Sequence, residues 1–192
     1  MKINFLQSGI YISILCGLAA CFNTREPAQP SSATSWISPT EQSILLDNFK
    51  KSVLELNLNN YERCLNKYLI FSPDRNLSGN NTGVFQTWTT VEELEYLKNL
   101  KARTVQTGAN AFTFSNEQTN FLTADSLEYT ANYNLFVYHQ DSSYTATHFV
   151  GKCILSMHRN SSSEWAISRW QDNRTDAQTP CWTDLKQHFI SP

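Results

Sequence analysis

Leu45, Phe49, Val53 and Leu56 recur at helical spacing, while Asp47, Lys50, Lys51 and Glu55 lie away from that stripe. This predicts an amphipathic helix opened by "SPTE" (38–41), with Ser38 as N-cap, Pro39 at the first helical position and Glu41 completing a capping box. A second, shorter stripe, Tyr61, Cys64, Leu65 and Tyr68, follows a break where Asn59 or Asn60 supplies the cap. "LIFSPD" (69–74) reads as a brief strand, and 75–87 as loop by composition. A third helix begins at "TTVEEL", with Thr90 and Glu93 as a capping box and Val91, Leu94, Leu97 and Leu100 as its buried face.

Beyond it the period changes from helical to two. "AFTFSN" (111–116) is one candidate strand. In "SLEYTANYNLFVYHQ" (126–140), Leu127, Tyr129, Ala131, Tyr133, Leu135 and Val137 share one face, and Glu128, Thr130, Asn132 and Asn134 the other. "YTATHFVGKCILSMH" (144–158) returns beside it, with Gly151 a bulge or bend. "WAISRWQDN" (165–173) closes the sheet; strict alternation puts Trp165 and Ile167 on one face and Ala166, Ser168 and Trp170 on the other. In "TPCWTDLKQHF" (179–189), Trp182, Leu185 and Phe189 predict a short final helix. Helices followed by long antiparallel strands make an α+β fold with helices on one face of the sheet.

The chain has 192 residues, with 15 basic and 17 acidic side chains and no basic stripe, so nucleic acid is a poor partner. Aromatics make up 12% and glycine and proline are scarce, which favours a compact aromatic core over disorder.

The start, "MKINFLQSGIYISILCGLAAC", has Lys2 followed by an apolar stretch too short for a transmembrane span. Leu18-Ala19-Ala20-Cys21 resembles the lipobox of bacterial lipoproteins. That resemblance implies a signal peptide over 1–20, diacylglyceryl and then acyl (palmitate-type) chains on Cys21, and a flexible tether over 21–37, rich in Pro, Ser, Thr and Ala. Two or three chains hold a protein to a bilayer stably, where one does so only marginally. Phe22 follows the cysteine in place of the inner-membrane aspartate of the enteric pattern, which points to the outer membrane. The domain then spans 38–192. The triplets at Asn76, Asn80, Asn160 and Asn173 read as incidental surface asparagines in such a protein.

Cys64, Cys153 and Cys181 remain in the mature chain; one disulfide of unknown pairing, or buried small hydrophobes, are the alternatives. No CxxC or Cys/His cluster supports a metal, and His139, His148, His158 and His188 are scattered. A phosphate loop, a nucleophile elbow, HExxH and an EF-hand string are all lacking, and no cofactor is expected.

The element order, the capped opening helix, "NLNNYERCLNKYLIFSPD" (57–74) and the ending "WAISRWQDNRT…CWTDLK" resemble the nuclear transport factor 2-like superfamily, which includes polyketide cyclase-like and ketosteroid isomerase-like domains. The resemblance covers Ser38 to Phe189 and implies a strongly curved, mostly antiparallel sheet wrapped round three N-terminal helices. The result is a cone with a pocket at its wide end. It further implies that one tryptophan of β-strand 165–173 fills the cone, while the other sits under the tail helix with Trp182 or in a dimer contact. Enzymes of the superfamily place a carboxylate or histidine base opposite a tyrosine or protonated acid in that pocket. Tyr129, Tyr133, His148 and Trp170 are the pocket candidates here, with Asp172 also a candidate to face inward. No catalytic role transfers, because Asp74 reads as a turn residue and Asp172 as a strand end. The expected function is a non-catalytic envelope lipoprotein that binds a small apolar ligand or assists another component. The alternatives are a cyclase, isomerase or hydrolase in the same pocket, and a homodimerising interaction module.

The lipobox generates a direct prediction. Cys21→Ser releases the protein from the membrane fraction or leaves an uncleaved precursor; unchanged fractionation with a normal mature mass would refute lipidation as the anchor.

Overall fold

The computed structural model describes residues 36–76, 82–104 and 107–191, which form a compact unit from Trp36 onward. The expected signal peptide, Cys21 and most of the expected tether lie outside the described residues, as does 77–81 of the long loop. Among the described residues four α-helices and five strands run in the order α1 (Gln42–Leu54), α2 (Leu58–Cys64), β1 (Leu65–Ser72), α3 (Thr90–Ala102), β2 (Ala111–Thr123), β3 (Ser126–Phe136), β4 (His148–Arg159), β5 (Trp165–Asn173) and α4 (Trp182–Phe189). The strands form one mixed sheet in the order β1-β5-β4-β3-β2, antiparallel except for the β1–β5 pair at one edge.

Leu45, Phe49, Val53 and Leu56 are all buried, as their spacing predicts. The start of α1 differs from expectation. The helix opens at Gln42 with Glu41 as N-cap and no side-chain capping bond, and Ser38 donates its hydroxyl to Glu164 at the base of β5. The unit also begins earlier than Ser38. Arg63 lies 4.0 Å over the Trp36 ring, and Asn48 bonds both backbone groups of Ile37. Helix α1 ends with Leu56 in the left-handed region (φ 47), while the Asn57 amide reaches back to the Ser52 carbonyl. A left-handed leucine costs roughly 1–2 kcal/mol, which full burial of its side chain offsets.

Asn57, two or three residues earlier than expected, caps α2 by accepting from the Asn60 amide. Helix α2 stops at Cys64, so Leu65 and Tyr68 belong to β1, and Tyr68 is exposed on that edge strand. The α3 capping box is Thr89 with Glu92, one residue earlier than Thr90 with Glu93. The helix is therefore free to turn Glu93, Tyr96, Leu97 and Leu100 inward, and Val91 points to solvent.

The predicted face of β3 is correct throughout: Leu127, Tyr129, Ala131, Tyr133 and Leu135 are buried, and Val137 just beyond it as well. Strand β2 runs to Thr123, well past Asn116, where a register shift coincides with the left-handed Asn116 (φ 52). Gly151 is not a bulge. It pairs in unbroken register with Tyr133, and a Cβ there would sit 2.4 Å from the Tyr133 hydroxyl and 2.8 Å from the Asn173 carbonyl. The glycine is required by close approach.

The bulge lies in β5 instead. Met157 pairs with Ile167 and Ser156 with Arg169, so Ser168 is the extra residue and the alternation reverses after it. Trp165, Ile167, Trp170 and Asp172 consequently share the inner face and are all buried. The expectation of tryptophans on opposite faces fails for this reason alone.

Gly151→Ala is expected to cost about 1–3 kcal/mol through overpacking, read as a lower urea midpoint. An unchanged midpoint would mean that Tyr133 can leave its place freely.

Candidate functional site

The core holds two clusters of polar side chains, both built around the final helix. In the first, Glu93 of α3 is fully buried. Its Oε1 accepts from the Tyr61 hydroxyl at 2.5 Å; its Oε2 accepts from Trp88 Nε1 at 2.6 Å and from Lys186 Nζ at 2.8 Å. Lys186, on α4, is also fully buried. Its ammonium lies 3.5 Å from the Trp170 ring centroid and 3.6 Å from that of Phe71. Tyr96 and Trp88 stand farther off, at 5.5 and 5.8 Å. Tyr96 continues the network, sharing a 3.2 Å hydrogen bond with Tyr61 and accepting from Trp182 Nε1 at 3.1 Å.

Burial in this shell lowers the Lys186 pKa to about 8, because desolvation outweighs the Glu93 charge that opposes it. Burial likewise pushes the Tyr61 hydroxyl well above its ordinary value, and the neighbouring Glu93 charge adds to the rise. A buried ion pair gains little over an apolar pair of the same shape, but loss of one partner strands the other charge.

In the second cluster Asp172, at the inner end of β5, anchors the start of α4. Its Oδ2 accepts from the Thr183 amide and hydroxyl, each at 2.7 Å, and its Oδ1 from the Tyr133 hydroxyl at 2.8 Å. Tyr133 in turn accepts from the Trp182 amide at 2.6 Å. Two otherwise unpaired amides of the first helical turn are thus satisfied by the sheet beneath. Desolvation raises the Asp172 pKa, with Thr183 and Tyr133 pulling the other way. Outside this cluster, Arg174 binds both Asp184 oxygens (2.6 and 2.8 Å) and donates its backbone amide to Asp74 at 2.6 Å. Asp74 also accepts from the Asn76 amide, the turn role its sequence context suggests.

Two of the sequence-predicted site residues meet at the same place. Trp170 and Tyr133 both pack on Trp182, with ring centroids 4.7 and 5.4 Å from it. Tyr129 is buried elsewhere on the inner face, bonded to Glu117 at 2.6 Å and packed on Phe114. His148 pairs with Phe136 in the register, which turns it to the outer face, stacked on the Phe136 ring and bonded to Asn134. The three cysteines are free and buried, and burial raises the Cys64 and Cys153 thiols to about 12 and the Cys181 thiol as well. No group of three or more His, Cys, Asp or Glu among the described residues is placed to hold a metal, and no described helix is long and apolar enough to cross a membrane.

Sequence reasoning missed Glu93 and Lys186. The signal was there: Lys186 lies four residues after Trp182 and three before Phe189, and Glu93 three before Tyr96 and seven before Leu100. Each is a charge on an apolar stripe, and two such charges of opposite sign are candidates for a buried pair.

At the surface, a hollow of about 420 Å³ is lined by Tyr144, Arg174, Pro180, Asp184, Gln187 and His188. A second, of about 560 Å³, lies under the 174–177 segment and shares Arg174 and Asp184.

Solved structures with this arrangement of helices and sheet were found at low identity. An NTF2-like protein of unknown function in nutrient uptake from Rhodospirillum rubrum aligns with a TM-score of 0.56 at 10% identity, over 71% of this chain and 99% of its own. An NTF2-like protein of unknown function from Pseudomonas putida KT2440 aligns at 0.53 and 7%, over 72% and 87%. The fold is nuclear transport factor 2-like. A Novosphingobium aromaticivorans protein named as a candidate aromatic ring hydroxylase shares it, at 0.55 and 13% identity, over 71% and 87%. No family model matches the sequence, and neither does any curated protein. Within this fold the pocket candidates Trp170 and Tyr133 are covered by α4, whose Trp182 and Lys186 pack against them or their partners.

The buried pair predicts a strong non-additivity. Glu93→Leu or Lys186→Met alone is expected to destabilise by about 3–5 kcal/mol, and Glu93→Leu with Lys186→Met by far less than the sum. Urea unfolding of the cycle checks this; additive losses would show that the two groups do not act as a pair.

Proposed function

We propose that this protein is a lipid-anchored envelope domain that works by binding and not by catalysis. The supporting observation is that both oxygens of the two fully buried carboxylates, Glu93 and Asp172, are hydrogen-bonded by the chain's own side chains and by the first turn of α4. A general base must present a lone pair to a substrate proton, whereas these two carboxylates hold a helix in place. An isomerase- or cyclase-like role in the same pocket would require α4 to leave. The anchor is the acylated Cys21, with the outer membrane as its location, and the tether holds the domain off the bilayer. The bound partner is a small ligand or another envelope component.

Native beside denaturing mass spectrometry on residues 22–192 purified from a periplasm tests this reading. A reproducible extra mass that leaves on denaturation is the expected result and would identify the ligand. A clean apo mass in a dimer would replace it with the interaction-module reading. Turnover of an added substrate that survives Asp172→Asn and Glu93→Gln would show that chemistry resides elsewhere on the domain.

A further inference from the structure

Lys186 is surrounded as a cationic ligand is surrounded. Its ammonium makes one charge-assisted hydrogen bond, to Glu93 at 2.8 Å, and otherwise faces aromatic rings: Trp170 at 3.5 Å and Phe71 at 3.6 Å, with Tyr96 and Trp88 behind. A carboxylate set among aromatic faces is the chemistry that recognises an organic ammonium, since the rings offer negative π faces and the acid supplies the counter-charge. None of the five groups belongs to α4, and Tyr96 comes from α3. Phe71 comes from β1, Trp88 and Glu93 from the loop and helix before β2, and Trp170 from β5, so the cage is a property of the rest of the domain. Trp170 also carries a buried indole N–H with no acceptor among the described residues, a cost that a purely apolar residue would avoid. Tyr61 braces Glu93 from the far side and is itself fully buried.

The occupant arrives on the last helix of the chain. Helix α4 is eight residues long, reached through 174–181, and the two surface hollows border that segment and share Arg174 and Asp184. The ion pair Arg174–Asp184 latches it on the outside, and Tyr133 and Asp172 hold its first turn on the inside.

We propose that the cage of Glu93, Phe71, Trp88, Tyr96 and Trp170 is a site for a small primary organic ammonium, and that Lys186 occupies it as an internal ligand. This goes beyond the binding reading above, since in the wild type the cage is filled by Lys186 and not by an added ligand. Native mass spectrometry tests whether anything is bound; the experiment below tests only the cage, so either can fail without the other.

Lys186→Ala removes Cγ, Cδ, Cε and Nζ, a fragment with the heavy atoms of n-propylamine. In the full-length domain, n-propylammonium chloride is expected to raise the thermal midpoint of Lys186→Ala saturably. n-Propanol, of the same shape and uncharged, should bind on the order of tenfold or more weaker. Wild type, whose cage is filled, should show no such difference, and adding Glu93→Gln to Lys186→Ala should abolish it. Equal responses to amine and alcohol, or a preference that survives Glu93→Gln, would overturn the proposal. If Lys186→Ala does not fold unaided, recovery of near-ultraviolet circular dichroism during refolding with n-propylammonium but not n-propanol supports it, and recovery with neither overturns it. Nitrogen-15 NMR of the wild-type lysine ammonium groups gives an independent reading. A slowly exchanging, ring-shifted Lys186 signal is expected, and an ordinary solvent-exchanging one would remove the cage itself.

Discussion

The pairing of Lys186 with Glu93 is the constraint round which the other parts are arranged. Two unit charges fully removed from water are tolerable only if each is neutralised and its remaining hydrogen-bonding capacity met. The acid meets that demand with a phenol and an indole, Tyr61 and Trp88, and the ammonium with the faces of Trp170 and Phe71. Those four side chains come from α2, the loop before α3, β5 and β1. A pair of charges thus fixes the mutual placement of segments far apart in the chain, which apolar contacts alone specify less sharply. Trp182 adds a further tie by donating to Tyr96 while stacking edge-on against Trp170.

The second cluster explains why so short a helix is well placed. An eight-residue helix is marginal by itself, and α4 leans on the sheet for its first amides. Asp172 and Tyr133 act as an extended cap from β3 and β5, and Gly151 leaves the space in which the Tyr133 ring lies. The bulge at Ser168 is what delivers both Trp170 and Asp172 to the inner face, so one extra residue in β5 brings both clusters into reach of α4. In a domain of this fold the same geometry fills the centre of the core with side chains of its own.

Much of the architecture was legible in the sequence because it follows from periodicity. The face of β3, the stripe of α1 and the apolar side of α4 were all read correctly from spacing, and the α+β class with them. What escaped has physical causes. A bulge leaves no mark on composition, so the face of Trp170 was misassigned, and His148 followed its register to the outside. Two threonines and two glutamates in succession, Thr89-Thr90 and Glu92-Glu93, offer two capping boxes one residue apart. Only tertiary burial of Glu93 decides between them. The polar core was harder to read for a related reason: its members are hydrogen-bonded across 93 and 49 positions of chain, so a local pattern marks a charge on an apolar stripe without naming its partner.

The order of assembly along the chain has a consequence for biosynthesis. Strand β1 finds its only described neighbour in β5, about a hundred residues later, and the charge on Glu93 waits for α4. A polypeptide emerging from its N-terminus therefore leaves β1 unpaired until residues 165–173 are made and Glu93 uncompensated until 182–189 follow. Such late closure keeps the nascent chain open, the state in which a polypeptide can be threaded through a narrow channel, and it makes folding an event that follows synthesis of the whole domain.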